Sequence, residues 1–268
     1  WWIPTLYFAE GIPYFIVNNI SVTMFTKMGV PNGEMALFTS LLYLPWTLKP
    51  LWSPLVDIFR TKRWWIVMMQ ALVSAAFVLL ALTLPSPETS TQVHMSLFTF
   101  TLLLFVFAAF ASATHDIAAD GFYMIALDSG QQSFFVGIRS TFYRLSSIFG
   151  QGVLVVVAGV LEEKTGNIPL AWSLTIGLTA VIFTILTIYH SFALPRPAGD
   201  SAVSTDGSGS AGEFTKAFAS FFRKPGVWIA IIFMLLYRLP EAFLLKMVNP
   251  FLLSPASEGG LGLHTSLV

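Results

Sequence analysis

Apolar residues along this chain gather into runs of about 20 or more, each long enough to cross a hydrocarbon core of roughly 30 Å as a helix. Reading each run together with its breakers predicts helices over 1–28, 35–58, 64–84, 96–126, 134–161, 169–193 and 226–253. Pro31-Asn32-Gly33 separates the first pair, Pro85-Ser86-Pro87 the third from the fourth, and Lys164-Thr165-Gly166-Asn167 the fifth from the sixth. Such combinations punctuate helices. The stretch from Pro195 to Pro225 differs in character. Its 199–210 part is polar and glycine-rich, with too little apolar surface to fold, and reads as a flexible linker. At its end, Phe214, Phe218, Phe221 and Phe222 with Lys216, Arg223 and Lys224 fit two readings, an amphipathic helix on a membrane surface or the frayed start of the seventh span.

Composition strengthens the membrane reading. Of 268 residues, 55% are hydrophobic and 10% charged, with a mean hydropathy of +0.74, whereas charged residues make up about 25% of a typical soluble domain. Fourteen basic and 14 acidic residues leave no net charge, so bulk electrostatics gives no basis for a nucleic-acid partner. The chain has no cysteine, and its four histidines are scattered. Disulfides and thiolate chemistry are therefore excluded, and neither a metal nor a cofactor is expected. The first run lacks the cationic start, short apolar core and small-residue cleavage site of a signal peptide, so it reads as a span.

Basic residues set the expected orientation. Arg60, Lys62, Arg63, Arg139, Arg196, Lys216, Arg223 and Lys224 fall in alternate loops, while the opposite loops hold Lys27 and Lys164. Eight against two places the N-terminus in the cytoplasm. The chain opens at Trp1 already inside an apolar run and ends where a new helix would begin, and so reads as part of a longer protein. The expected organisation is a six-helix transmembrane bundle over 1–194, a cytoplasmic linker over 195–225 and the incomplete start of a second bundle over 226–268. That is the plan of a two-halved transporter built from repeats of six helices. Tyr7 and Glu10 in the first span find a faint echo in Tyr237 and Glu241 in the seventh.

Charged and polar residues inside these spans are the candidate chemistry, since a charge at mid-bilayer costs about 2.5 to 3.5 kcal/mol on insertion scales. Glu10, Tyr14 and Asn18 recur every four residues and share one helical face with Tyr7. They suit the wall of a substrate path, with Glu10 a candidate proton carrier because burial disfavours a charged carboxylate. The competing reading is a glutamate locked to a cation for assembly alone. Tyr43 and Lys49 lie in the second span, and Lys49 can also snorkel to the interface. Asp116 and Asp120, four apart near the end of the fourth span, would repel unless compensated. Arg139 and Arg144 are candidate partners, and a shared proton is the other solution. Such a set serves either as a proton relay or gate, or as an ion-pair network holding two helices together. In the seventh span, Arg238 either holds an anionic group of a substrate or neutralises Glu241, with Tyr237, Lys246 and Asn249 continuing the polar path.

Between spans two and three, Asp57 is followed by Arg60, Lys62 and Arg63. This segment resembles the loop motif of the major facilitator superfamily, although Ser53 stands where that pattern begins with glycine, and its turn glycine is missing. The resemblance implies a conformational latch at Asp57, Arg60, Lys62 and Arg63. Four pieces together resemble the AmpG family of muropeptide permeases within that superfamily, which is related to the acetyl-CoA transporters. They are Leu6-Tyr7-Phe8-Ala9-Glu10-Gly11-Ile12-Pro13-Tyr14, Lys49-Pro50-Leu51-Trp52-Ser53-Pro54-Leu55-Val56-Asp57, Thr114-His115-Asp116-Ile117-Ala118-Ala119-Asp120-Gly121 and Tyr237-Arg238-Leu239-Pro240-Glu241. The family commonly has Gln where His115 stands and Gly-Asp where Pro240-Glu241 stands.

The resemblance implies an all-α membrane protein of the major facilitator fold, here the N-terminal six-helix bundle with the first helix of the second. It implies a non-enzymatic importer of N-acetylglucosaminyl-1,6-anhydro-N-acetylmuramyl peptides in the bacterial inner membrane, driven by protons and serving cell-wall recycling. Glu10, Asp116, Asp120, Arg144 and Glu241 are then the coupling or gating candidates. Tyr14, Asn18, Tyr43, Lys49, Tyr237 and Arg238 are the substrate-path candidates, the tyrosines suited to packing against sugar rings. The expected partners are the small-molecule substrate, protons and the lipid bilayer. Transport of acetyl-CoA or a siderophore on the same fold, and a non-transporting sensor of cell-wall fragments, are the alternatives.

Overall fold

The structure, a computed structural model, describes residues 1–84, 91–201, 219 and 222–267, with backbone alone at 32, 34, 58, 91–96, 234, 235, 238, 241, 242, 245 and 266. Every regular element among these residues is helical. α1 (Trp2–Phe15) runs through a π turn (Ile16–Ile20) into α2 (Ser21–Lys27). There follow α3 (Asn32–Leu41), α4 (Leu44–Leu48) and α5 (Ser53–Ile58). α6 (Lys62–Thr83), α7 (Thr91–Ala126) and α8 (Ser129–Ser147) come next, and a second π turn (Ile148–Leu154) joins α8 to α9 (Val155–Thr165). α10 (Ile168–Ala193) and α11 (Val227–Leu253) complete the set. The linker residues 202–218, with Phe214, Lys216 and Phe218, lie outside the described residues, as does Phe221.

Local chemistry explains most of the boundaries. Thr61 caps α6 by accepting from the Trp64 amide. Asp128 and Gln131 form a reciprocal capping box at the start of α8, which begins that helix five residues before the apolar run does. Gly166, in the left-handed conformation at φ 64°, ends α9, and Asn167 caps α10 one residue later. The expected single helix over 35–58 is corrected: the segment is broken into α3, α4, a 3-10 turn (Lys49–Leu51) and α5. Pro45, Pro50 and Pro54 each open a new piece, in the first turn where a missing N–H costs nothing, whereas inside one continuous helix each would have removed a bond and clashed with the preceding turn.

Among the described residues, four helical stretches are long and apolar enough to cross a membrane without interruption: Lys62–Thr83, Leu97–Ala126, Ser129–Thr165 and Ile168–Ala193. α6 packs along α7 on one side and α10 on the other, while α1 lies along α8 and also touches α7. Phe25, Phe77, Phe105, Trp172 and Phe183 are fully buried between them. Phe77 meets Phe183, and Phe25 meets Phe105, each edge to face at 5.9 Å. The outward faces are apolar too: Leu82, Ile185 and Phe192 are exposed, as suits helices solvated by lipid.

Small residues bring α1 and α8 together. A Cβ at Gly11 would collide with Ser146 Oγ, and one at Gly150 would stand 2.9 Å from Phe15 Cβ. The helices therefore approach almost backbone to backbone, and the two π turns lie in contact. At one end of the bundle, near Lys27, a single buried carboxylate gathers several elements. Glu162 accepts from Trp172 Nε1 and Thr265 Oγ1, each at 2.9 Å, and lies 3.7 Å from Lys27 Nζ. This fastens the chain beyond α11 onto α9. At the other end Asp200 accepts the Lys62 and Arg63 amides at 2.6 and 3.0 Å, capping α6.

Gly150→Ala is expected to destabilise the protein by about 1–3 kcal/mol, because Phe15 Cβ is tied to the α1 backbone and cannot turn aside. Gly152→Ala, with nothing within 4 Å of its added methyl, is the control. Thermal unfolding in detergent checks the difference, and equal melting temperatures for the two variants would contradict this packing.

Candidate functional site

The break in the second span positions the first functional group. Lys49 sits in the 3-10 turn between α4 and α5, and its Nζ donates to Asp116 Oδ2 on α7 at 2.7 Å. The remaining oxygen, Asp116 Oδ1, is buried with no hydrogen-bond partner, and so is Glu10 Oε2 on α1. Glu10 lies within electrostatic range of Asp116, Asp120, Lys49 and Arg139. Trp46 stands beside Asp116, yet its buried indole N–H and Asp116 Oδ1 fall outside hydrogen-bond geometry. Two carboxylates, one cation and two open acceptor oxygens thus share one region of the bundle interior.

Asp120, one turn beyond Asp116, has its own partners. Arg139 on α8 donates to Asp120 Oδ1 at 2.8 Å, and the Tyr7 hydroxyl donates to the same oxygen at 3.3 Å. The Arg139 guanidinium also lies 4.5 Å from the Tyr7 ring centre and 5.1 Å from that of Tyr123, a cation held between two aromatic faces. The repulsion expected between Asp116 and Asp120 is therefore relieved by one cation each. Arg139 is one of the two suggested partners. Arg144 is exposed and forms no ion pair among the described residues, and Lys49 takes the place proposed for it.

Aromatic rings line the same side. Tyr14 packs against Trp46 at 5.2 Å and Tyr43 at 6.3 Å, and Phe15 against Tyr143 at 5.6 Å. Tyr143 also lies near Glu10 and Asp116. Asn18, further along α1, is buried with its Oδ1 unpartnered, while its amide donates to the Tyr14 carbonyl at 3.1 Å. Tyr237 is exposed on α11, stacked on Phe233 at 6.1 Å. The side chains of Arg238 and Glu241 lie outside the described residues.

The four residues of the expected latch do not form one cluster. Lys62 pairs with Asp57, and its stem lies against Gly121, where an added Cβ would stand 2.6 Å from Lys62 Cε. Arg63 turns the other way and donates to the carbonyls of Ser191 and Leu194 at the end of α10. The Arg60 guanidinium lies 5.8 Å from the Trp64 ring centre.

Sequence reading missed a buried polar chain through the bundle. The Gln70 side chain lies 2.9 Å from His115 Nε2 and 3.0 Å from His190 Nδ1, and His190 Nε2 lies 3.0 Å from Thr5 Oγ1. It joins α6, α7, α10 and α1 and includes His115, the residue before Asp116. Gln70 is a polar residue at an apolar position of the third span, which is the signal that could have found it. Trp46, Tyr123 and Tyr143 carried no signal in a chain with 15% aromatic residues.

A helical bundle with an apolar exterior and a set of charged side chains held inside it defines a multi-pass membrane protein. A family model described as the Major Facilitator Superfamily matches residues 5–263, and the chain belongs to that superfamily. It is similar to the protein named putative transporter AmpG 4 of Rickettsia conorii, 27% identical over 254 residues, which cover 91% of this chain and 57% of that one. It is also similar to the putative transporter AmpG 4 of Rickettsia felis, 26% identical over 193 residues, 68% of this chain and 42% of the relative. The anhydromuropeptide permease of Escherichia coli is 24% identical over 255 residues, 92% of this chain and 47% of the permease. The chain spans about half the length of the curated relatives it matches.

Lys49→Met is expected to destabilise the protein by about 3 kcal/mol, because it leaves Asp116 as an unpaired buried carboxylate. Adding Asp116→Asn should restore most of that loss. Melting temperatures of both variants test the coupling, which is absent if the double variant is no more stable than the single one.

Proposed function

We propose that the full-length protein is a proton-coupled importer of anhydro-muropeptides working by alternating access. The observation that carries this reading is the pair of buried, unpartnered oxygens, Glu10 Oε2 and Asp116 Oδ1, beside the Lys49–Asp116 contact. A buried acceptor without a donor is costly; the Trp46 indole N–H stands beside Asp116 as one donor for its open oxygen, and the donor for Glu10 Oε2 is a proton or a hydroxyl or amide of the solute. Glu10 and Asp116 therefore serve as proton-carrying or solute-binding groups, and Asp120 with Arg139 and Tyr7 as the adjoining gate. Tyr14, Tyr43 and Trp46 present aromatic faces to sugar rings. The muropeptide class is taken from the resemblance in sequence and from the name of the Escherichia coli relative.

In this reading residues 1–194 form the first bundle, 195–225 the cytoplasmic linker and 226–268 the start of the second bundle, in the bacterial inner membrane with the N-terminus in the cytoplasm. The Glu162 cluster then lies at the periplasmic end. Its bonds from Trp172 and Lys27 stay within the first bundle, and the bond from Thr265 crosses to the second. Of these three, opening toward the periplasm breaks only the crossing bond. The two halves rock about the central carboxylates, and protonation shifts the balance of states.

The test is uptake of a labelled anhydro-muropeptide into liposomes holding the full-length protein under an inward proton gradient. Uptake should vanish when an ionophore collapses the gradient, and Glu10→Gln should abolish accumulation while the protein still melts cooperatively. Folded wild-type protein that takes up no muropeptide, but does take up acetyl-CoA or a siderophore, would overturn the substrate assignment.

A further inference from the structure

Lys246 belongs to none of the clusters above. It projects from α11 toward the first half of the chain, and its Nζ donates to the carbonyl oxygens of Asn18 at 3.1 Å and Thr39 at 3.3 Å. Among the described residues no carboxylate pairs with it. Two neutral carbonyls satisfy two of the three ammonium protons but supply no opposite charge, and a charge held in the membrane by neutral groups alone is expensive. The seat lies at a special place. Asn18 falls within the π turn Ile16–Ile20, is only 3% exposed, and keeps its Oδ1 without a partner. Three residues along α11, Asn249 Nδ2 donates to Thr23 Oγ1 at 2.8 Å, so these two side chains tie α11 to the first π turn, α2 and α3.

We infer that Lys246 is an anion-binding residue of the transport path and that the group it takes is a carboxylate of the solute. In the present arrangement the lysine rests on backbone carbonyls. A solute carboxylate offers it what they cannot, a full opposite charge and a charge-assisted hydrogen bond. Exchange of the carbonyls for the carboxylate also detaches Lys246 from Asn18 and Thr39. Binding of an anionic solute thereby loosens the join between the two halves, which gives the ligand a differential affinity for the opened state. A neutral analogue of the same shape makes no such exchange. The inference rests on the muropeptide reading above, since the peptide portion of such a solute supplies the carboxylates.

The experiment compares two labelled anhydro-muropeptides in liposomes holding the full-length protein under a proton gradient, one with free peptide carboxylates and one with the same carboxylates amidated. The wild type should show a KM for the free acid lower by about 10- to 100-fold, the range expected for one charged hydrogen bond. Lys246→Gln should remove the preference, bringing the KM values of the two compounds together, and Lys246→Arg should keep it. A wild type with equal KM for both compounds overturns the role of Lys246 without any variant. So does a Lys246→Gln protein that loses uptake of both in equal proportion. Wild-type protein that takes up neither compound overturns the muropeptide reading itself, and this inference with it.

Discussion

Inside a bilayer no water is available to solvate a charge, so each ionised side chain must find its partner within the protein. That constraint organises this molecule. Lys49 meets Asp116, Arg139 meets Asp120, and Glu162 collects Trp172, Thr265 and Lys27. Each contact joins one element to another, so satisfying the charges and assembling the bundle are the same event. The few polar atoms left open, Glu10 Oε2, Asp116 Oδ1 and Asn18 Oδ1 among them, stand out against this background.

The backbone irregularities serve the same end. Three prolines divide the second span, and the 3-10 turn between its pieces carries Lys49 toward α7. An unbroken helix would have left that lysine on a regular face. The two π turns lie against each other where α1 and α8 approach through Gly11, Ser146 and Gly150. Close approach there positions Glu10 and Arg139 around the same pocket of charge, and it leaves the Asn18 carbonyl in reach of Lys246.

The two ends of the bundle are built differently. At the Lys62 end the contacts stay among residues that precede α11, with Asp200 capping α6 and Arg63 closing the end of α10. At the Lys27 end they bring in α11 and the chain beyond it: Glu162 holds Thr265, and Lys246 and Asn249 hold the first π turn, α2 and α3. These are the bonds that break if α11 and the chain beyond it separate from the earlier helices. A single carboxylate and one lysine carry much of that join.

The sequence by itself determined the membrane class, the superfamily and the positions of most helices. It did so because apolar runs, prolines and capping residues act locally: Asp128 with Gln131, Gly166 and Asn167 set their helix ends wherever they occur. It also singled out Glu10, Lys49, Asp116, Asp120 and Arg139, since any charge in an apolar run is conspicuous. Which charge meets which was settled only by the tertiary structure. Arg139 and Arg144 looked like the partners of Asp116 and Asp120, with Lys49 left aside, and the four-residue latch looked like one unit, because spacing along the chain says nothing about separation across a bundle. Gln70 between two buried histidines, and Lys246 resting on backbone carbonyls, depend on helices that touch only after the whole chain has packed.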